Sequence, residues 1–191
     1  MIPGMRKEYA SLRRRMFLTP VWILVVGGAI AIAVAAWTVL AASTTLVVVV
    51  RHAEKTSEAG ADPPLSAAGL ERAARLAALF ATAPGGQGVD AIFVTQWRRT
   101  DETARPLATR SGIPVVALPA DDLAALERRI LEGYRGRRVL VIGHADTVPQ
   151  IVRRLARGGA GAPLEAGDYG AAYVVALPRW GRPNVLRLSL P

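Results

Sequence analysis

The chain of 191 residues contains two histidines, and each follows directly on a short apolar run. Leu46-Val47-Val48-Val49-Val50 breaks into Arg51-His52-Ala53-Glu54-Lys55, and Val139-Leu140-Val141-Ile142-Gly143 breaks into His144-Ala145-Asp146. Apolar runs without polar alternation read as strands buried on both faces, the pattern of a parallel sheet. In open α/β sheets ligands bind at the carboxyl ends of such strands. Another short run, Asp90 to Val94, leads into Thr95-Gln96-Trp97-Arg98-Arg99. A lone histidine is usually a surface residue or a satisfied core residue. Two histidines, each placed at the end of a buried-type strand, call for another explanation.

Two arginines and two histidines in one crevice suit a tetrahedral dianion. Guanidinium forks bind phosphate oxygens bidentately and stay charged at any working pH. A neutral imidazole can attack phosphorus and hold the phosphoryl group covalently, which splits one hard displacement into two. The second imidazole, protonated, would neutralise the equatorial oxygens in the transition state. No Gly-x-x-x-x-Gly-Lys-Ser/Thr occurs, so this is not a P-loop nucleotide site. Two histidines without a carboxylate partner set make a poor zinc site, and neither a metal nor another cofactor is expected. Cysteine is absent, which excludes disulfides, thiolate ligands and a cysteine nucleophile.

The net charge is +9, and apart from Lys7 and Lys55 all the basic residues are arginine. Residues 1–15 hold five basic residues and one acid. The remaining surplus is scattered, with no basic block interleaved with aromatics, so nucleic acid is not an expected partner.

The elements that must position the site follow from a pass along the chain. Residues 1–16 form a basic segment, 17–43 an apolar one, and 44–191 the domain that holds the site. Met16 to Val50 carries no charge. Val21 to Ala42 as a helix would be about 33 Å long, enough to cross a bilayer core. Trp22 and Trp37 lie near its ends, as interfacial aromatics do. A buried core helix without a polar face is more than a small domain can cover. The segment is therefore a membrane signal-anchor or a cleaved signal peptide, and the small residues Ala41-Ala42-Ser43 suit cleavage. Arg13, Arg14 and Arg15 place the N-terminus in the cytoplasm and the domain outside it.

Beyond the first strand, Ser66 caps a helix whose apolar face is Leu70, Ala73, Ala77 and Phe80, with Leu76 at its edge. Pro84-Gly85-Gly86 stops it. A helix through Thr100–Ser111 closes at Gly112, and Pro114–Leu118 is a strand. Asp121 and Asp122 cap a helix to about Leu131. Arg138–Ile142 is the strand leading to His144, Thr147–Ala156 is helical, and Gly158–Asp168 is loop. Ala171–Leu177 and Val185–Leu190 are further strands, the last at an edge. The alternation predicts an α/β three-layer sandwich with a mainly parallel central sheet.

With these residues in place the sequence resembles the histidine phosphatase superfamily, also called the phosphoglycerate mutase-like family. Its Arg-His-Gly/Ala motif followed by Glu is similar to Arg51-His52-Ala53-Glu54. Its Leu-Ser-x-x-Gly helix start is matched by Leu65-Ser66-Ala67-Ala68-Gly69. Thr95 through Ala104 resembles its Ser-x-x-x-Arg-x-x-x-Thr-Ala motif, and Gly143-His144 its late Gly-His motif. The resemblance covers about Leu46 to Leu190. It implies His52 as the phosphohistidine nucleophile and Arg51, Arg99 and His144 as the phosphate pocket, with Glu54 and Lys55 at its mouth. The proton donor is open. Some relatives use a Glu in an acidic motif after the third strand, where this chain has Leu118-Pro119-Ala120-Asp121-Asp122. Others use an Asp directly after the second histidine, where Asp146 stands two residues on. Asp146, Asp121 and Asp122 are the candidates, and each also suits a helix cap.

The expected activity is that of a membrane-anchored, metal-independent phosphatase acting on a phosphorylated small molecule, a glycan or a phosphoprotein, phosphohistidine included. Only 44 residues lie between Arg99 and His144, so the site should be open. The alternative is a non-catalytic module of the same fold that binds a phospho-ligand.

Overall fold

In the computed structural model the described residues are 19–41, 44–57, 60–81, 88–158 and 168–190. The basic segment 1–16, the helix stop Pro84-Gly85-Gly86 and most of the loop expected over 158–168 lie outside them. The chain divides into two units, Met1–Ala42 and Ser43–Pro191.

In the first unit a single helix, α1 (Thr19–Ala41), is described. Its stretch Val21–Val39 has a mean hydropathy of 2.2 and none of it is buried. Trp22 and Trp37 are exposed together with the valines, leucines and isoleucines between them. By length and composition this helix can cross a bilayer.

The second unit alternates strand and helix: β1 (Thr45–Arg51), α2 (Ala67–Phe80), β2 (Ala91–Thr95), α3 (Arg98–Ser111), β3 (Val115–Leu118), α4 (Leu123–Gly133), β4 (Arg138–Gly143) and α5 (Thr147–Leu155). Two strands close the chain, β5 (Ala171–Leu177) and β6 (Asn184–Ser189). The sheet order is β3-β2-β4-β1-β5-β6. The β3–β2, β2–β4 and β4–β1 pairings are parallel, and β5 and β6 are added antiparallel on the far side of β1. The α/β class and the mainly parallel sheet thus agree with the sequence pattern, and β6 is the exposed edge strand.

Alternate side chains of the central strands feed two separate cores, which makes the unit three-layered. Val47, Val49, Phe93, Val139 and Val141 point to one face and pack with Leu126 and Ile130 of α4 and Val148, Ile151 and Val152 of α5. Val50, Ile92, Val94, Leu140 and Ile142 point to the other and pack with Ala77 of α2 and Ala104 and Leu107 of α3. Burying each valine, leucine or isoleucine contributes about 1.5–3 kcal/mol, so a strand covered on both faces has little reason to carry polar residues until it ends.

Two details differ from the sequence pattern. Helix α3 begins at Arg98, two residues earlier than expected, so Arg99 sits in its first turn. Helix α2 buries Gly69, Ala73, Leu76 and Ala77 while Leu70 is exposed, a rotation away from the predicted apolar face. The rotation has a steric cause. Ser66 caps α2 by accepting from the Gly69 N–H at 3.1 Å, and the Ser66 N–H donates to the Glu54 carbonyl at 2.9 Å. This brings the first turn so close to the Arg-His segment that a Cβ on Gly69 would lie 2.1 Å from the Glu54 carbonyl oxygen. The glycine of Leu-Ser-x-x-Gly is therefore a packing requirement. Gly69→Ala should destabilise the unit by about 2 kcal/mol or more, whereas Gly133→Ala, where a Cβ meets nothing within 4 Å, should be neutral or slightly stabilising. Urea midpoints of the two variants check this, and equal midpoints would show that α2 docks otherwise.

Candidate active site

Strand register brings the two histidines together. In the parallel β1–β4 pair Arg51 stands opposite Gly143, so the next residues, His52 and His144, leave the sheet side by side. The His52 N–H donates to the Gly143 carbonyl at 2.9 Å, and the two ring centroids are 5.2 Å apart in an edge-on arrangement. Gly143 allows the approach of α5: a Cβ there would come within 3.0 Å of Thr147 Oγ1. The same hydroxyl accepts from the His144 N–H at 2.9 Å, which fixes the backbone of the Gly-His turn.

Hydrogen-bond partners set the tautomer of each ring. His52 Nδ1 lies 2.7 Å from the Ala53 carbonyl, which only accepts, so Nδ1 carries the proton and Nε2 keeps its lone pair. Arg99 Nε, which only donates, lies 3.3 Å from His144 Nδ1, so that nitrogen is the acceptor. His144 Nε2–H then donates to Thr95 Oγ1 at 2.9 Å. The Thr95 hydroxyl can pass to Thr100 Oγ1 at 3.0 Å, and Thr100 donates to the Trp97 carbonyl at 2.7 Å. His144 is therefore neutral in this geometry, where the chemistry read from sequence had it protonated.

Electrostatics agree with these tautomers. Burial is the main cause holding His52 to a pKa of about 4, below the ordinary 6.5. The Ala53 carbonyl opposes that shift, and His144, Arg99 and Arg51 reinforce it. His144 is also held to about 4, by burial first and then by the Arg99 charge. Asp146 acts against that shift, Arg51 adds to it, and Asp62 opposes it.

The cations flank the rings. The Arg51 guanidinium lies 4.0 Å over the Tyr169 ring, with Nη2 3.3 Å from the phenol oxygen, and that ring also stands 6.1 Å from His52. Arg99 lies 5.1 Å over Trp97. On α3, the Thr103 hydroxyl donates to the Arg99 carbonyl at 2.7 Å and accepts from the Ala53 N–H at 3.0 Å. One threonine, four residues after the arginine, thereby ties the helix to the Arg-His segment. This gives a physical reason for the Arg-x-x-x-Thr spacing.

The structure thus brings Arg51, His52, Arg99 and His144 together. The other candidates are placed differently. Glu54 binds Arg72 of α2 in a fork of 2.8 and 3.1 Å, and the exposed Lys55 takes part through its backbone in a bridge to Leu65. Asp146 caps α5, accepting from the Thr147 N–H at 2.9 Å, close enough to act on His144. Asp122 caps α4 through the Ala125 N–H at 2.9 Å, and Asp121 is exposed beside it. Two residues near the rings were not singled out from sequence. Asp62 accepts from the Arg98 N–H with both oxygens at 3.0 Å and lies 3.5 Å from Arg99 Nη1. Tyr169 arrives because β5 runs antiparallel to β1, so the residues just before β5 reach the carboxyl end of β1. No spacing along the chain announces either contact.

Such a fold and site define an α/β protein with two histidines and two arginines gathered at the carboxyl ends of its parallel strands. Residues 47–120 match the model of the histidine phosphatase superfamily (branch 1). That match spans the Arg-His, Leu-Ser-x-x-Gly and Arg-x-x-x-Thr motifs, so this part of the chain is similar to that superfamily. Among solved structures, the protein histidine phosphatase SixA complexed with tungstate is similar at 23% identity and a TM-score of 0.60, covering 75% of this chain and 96% of that one. A mycobacterial glucosyl-3-phosphoglycerate phosphatase is similar at 14% identity and a TM-score of 0.58, covering 78% and 100%. The α-ribazole phosphatase of Shigella flexneri follows at 16% and 0.53, covering 70% and 94%. No curated protein matches the chain.

Lowered histidine pKa values make stability depend on pH. Unfolded histidines titrate near 6.5 and the folded ones near 4, so between these values the unfolded chain binds more protons. Stability should be fully present above pH 6.5 and fall as the pH drops towards 4. His52→Asn and His144→Asn should each flatten that slope. Thermal unfolding followed from pH 7 to 4 checks it, and an unchanged slope in both variants would refute the buried-neutral assignment.

Proposed function

We propose that the chain is a membrane-anchored phosphatase that hydrolyses phosphomonoesters or phosphohistidine through a covalent intermediate on His52. The observation that carries this reading is the fixed tautomer of His52. Its Nδ1–H is held by the Ala53 carbonyl, leaving the Nε2 lone pair for attack, and burial keeps the ring unprotonated at neutral pH. Arg51 and Arg99 supply the positive charge that a phosphoryl dianion needs, with His144 beside it. The similar SixA structure holds tungstate, itself a tetrahedral oxyanion.

In the first step Nε2 attacks phosphorus, a P–N bond forms, and the bond to the leaving group breaks. The leaving atom takes a proton from an acid, which we assign to Asp146. One of its oxygens serves the Thr147 N–H while the other remains for this exchange. In the second step water attacks the phosphoryl group and the Asp146 carboxylate takes its proton. Phosphate and neutral His52 result. As the dianion binds, its charge favours protonating His144, which recovers the second cation expected of this site. The substrate class is a phosphorylated sugar, envelope glycan or phosphoprotein histidine. The domain would face outward if the basic leader stays inside. In this reading Asp122 serves as the cap of α4, and Asp121 stands exposed beside it.

One observation favours the alternative of a binding module without turnover: Asp146 and Asp122 both already serve as caps. A single assay separates the two. The full chain in detergent with EDTA should hydrolyse p-nitrophenyl phosphate, and His52→Ala should lose at least about a thousandfold in kcat. Absence of turnover in the folded wild type, also on phosphosugars and phosphohistidine peptides, would move the protein to the binding class. If Asp146 is the acid, Asp146→Asn should slow alkyl phosphates by about 100-fold or more, with much smaller losses on p-nitrophenyl phosphate. Equal losses on both would remove Asp146 from that role.

A further inference from the structure

The end of the sheet opposite the imidazoles carries an unbalanced positive charge. Thr45 opens β1 across from Leu177, the last residue of β5, and its hydroxyl accepts from the Gly136 N–H at 2.9 Å. A groove of about 130 Å³ beside Thr45 is lined by Arg135, Arg157 and Arg179, and Arg182 lines an adjoining hollow with Arg157. Among the described residues none of these four arginines is in an ion pair. The nearby carboxylates are taken: Glu127 binds Arg154 at 2.6 Å, and Asp90 binds Arg137 and Arg138 at 3.6 and 3.4 Å. Glu132, on the last turn of α4, is the one acid at this end outside an ion pair among the described residues.

The turn between β5 and β6 adds an aromatic. Trp180 stands between Arg179 and Arg182 in sequence and is 71% exposed. A large apolar ring held in water beside guanidinium groups suits the headgroup layer of a bilayer, where indoles settle and arginines meet phosphates. Chain connectivity points the same way. In sequence only three residues separate Ala41, the last of α1, from Thr45, the first of β1.

We propose that this end of the globular unit, built from Arg135, Arg157, Arg179, Arg182 and Trp180, is a lipid surface that binds the phosphates of anionic phospholipids. The inference rests on the reading of α1 as a membrane span. Its consequence is an orientation. The imidazoles leave the other end of β1, about 20 Å from Thr45, so the crevice is held away from the bilayer and open to substrates in solution or in the envelope.

The absence of cysteine allows single-cysteine spin labels on the full-length chain. Labels go at Asn184 beside the turn, at Ser57 past the carboxyl end of β1, and at Ile30 within α1. The protein is placed in nanodiscs of phosphatidylcholine alone or with one third phosphatidylglycerol. In anionic discs the label at 184 should collide several-fold less with a water-soluble nickel chelate than in neutral discs, while the label at 57 should not change. The contrast should collapse at about 0.5 M salt, where charges are screened within a few ångströms. It should also collapse in R157E/R179E/R182E, whose retained turnover of p-nitrophenyl phosphate would show that it is folded. Equal accessibility at 184 in both lipids, with Ile30 shielded, would overturn the lipid surface and leave the anchor standing. A water-exposed label at Ile30 would overturn both.

Discussion

The site depends on one register, the parallel pairing of β1 with β4 that sets Arg51 opposite Gly143. Every other contact of the crevice presupposes it. A slip by one residue would turn Val47 and Val49 from the α4–α5 core to the α2–α3 core and carry His52 away from His144. The two buried faces therefore guard the chemistry. The valines that make β1 hydrophobic on both sides also fix the position of the imidazole that follows them.

Given that register, burial and arginine set the charge state of the rings. A protonated imidazole loses its hydration in the crevice and meets the guanidinium groups of Arg51 and Arg99, so both histidines favour the neutral form. A histidine held neutral is a nucleophile at neutral pH, and the arginines that depress its pKa are the groups an oxyanion needs. The same interaction destabilises the folded unit in acid. Around it, Thr95, Thr100 and Thr103 satisfy the buried polar atoms that would otherwise be left unpaired.

The second unit has two chemically distinct ends. At the carboxyl ends of the parallel strands lies the crevice, and at the amino ends lies an arginine-rich surface with an exposed indole. Both follow from parallel topology, which sends strand starts to one side and strand ends to the other. The antiparallel β5 works across this division. Its start brings Tyr169 to the crevice, and its end carries the Arg179–Arg182 turn to the opposite side.

Much of this was legible in the chain alone. The uninterrupted valines of β1, the run before His144 and the caps at Ser66 and Asp122 are local features, because burial on both faces and capping depend on near neighbours in sequence. That Arg51, His52, Arg99 and His144 would share one crevice followed from a rule about strand ends. Periodicity misplaced the face of α2, since the close contact of Gly69 with the Glu54 carbonyl, and not the apolar stripe, sets its rotation. The tautomers, the neutral state of His144, the diversion of Glu54 to Arg72 and the arrival of Asp62 and Tyr169 belong to tertiary structure. Each depends on a partner at least about a dozen residues away, apart from the His52–Ala53 bond, or on desolvation by the whole fold. Sequence determined which residues stand at the strand ends; the three-dimensional packing decided which atoms face one another and with what charge.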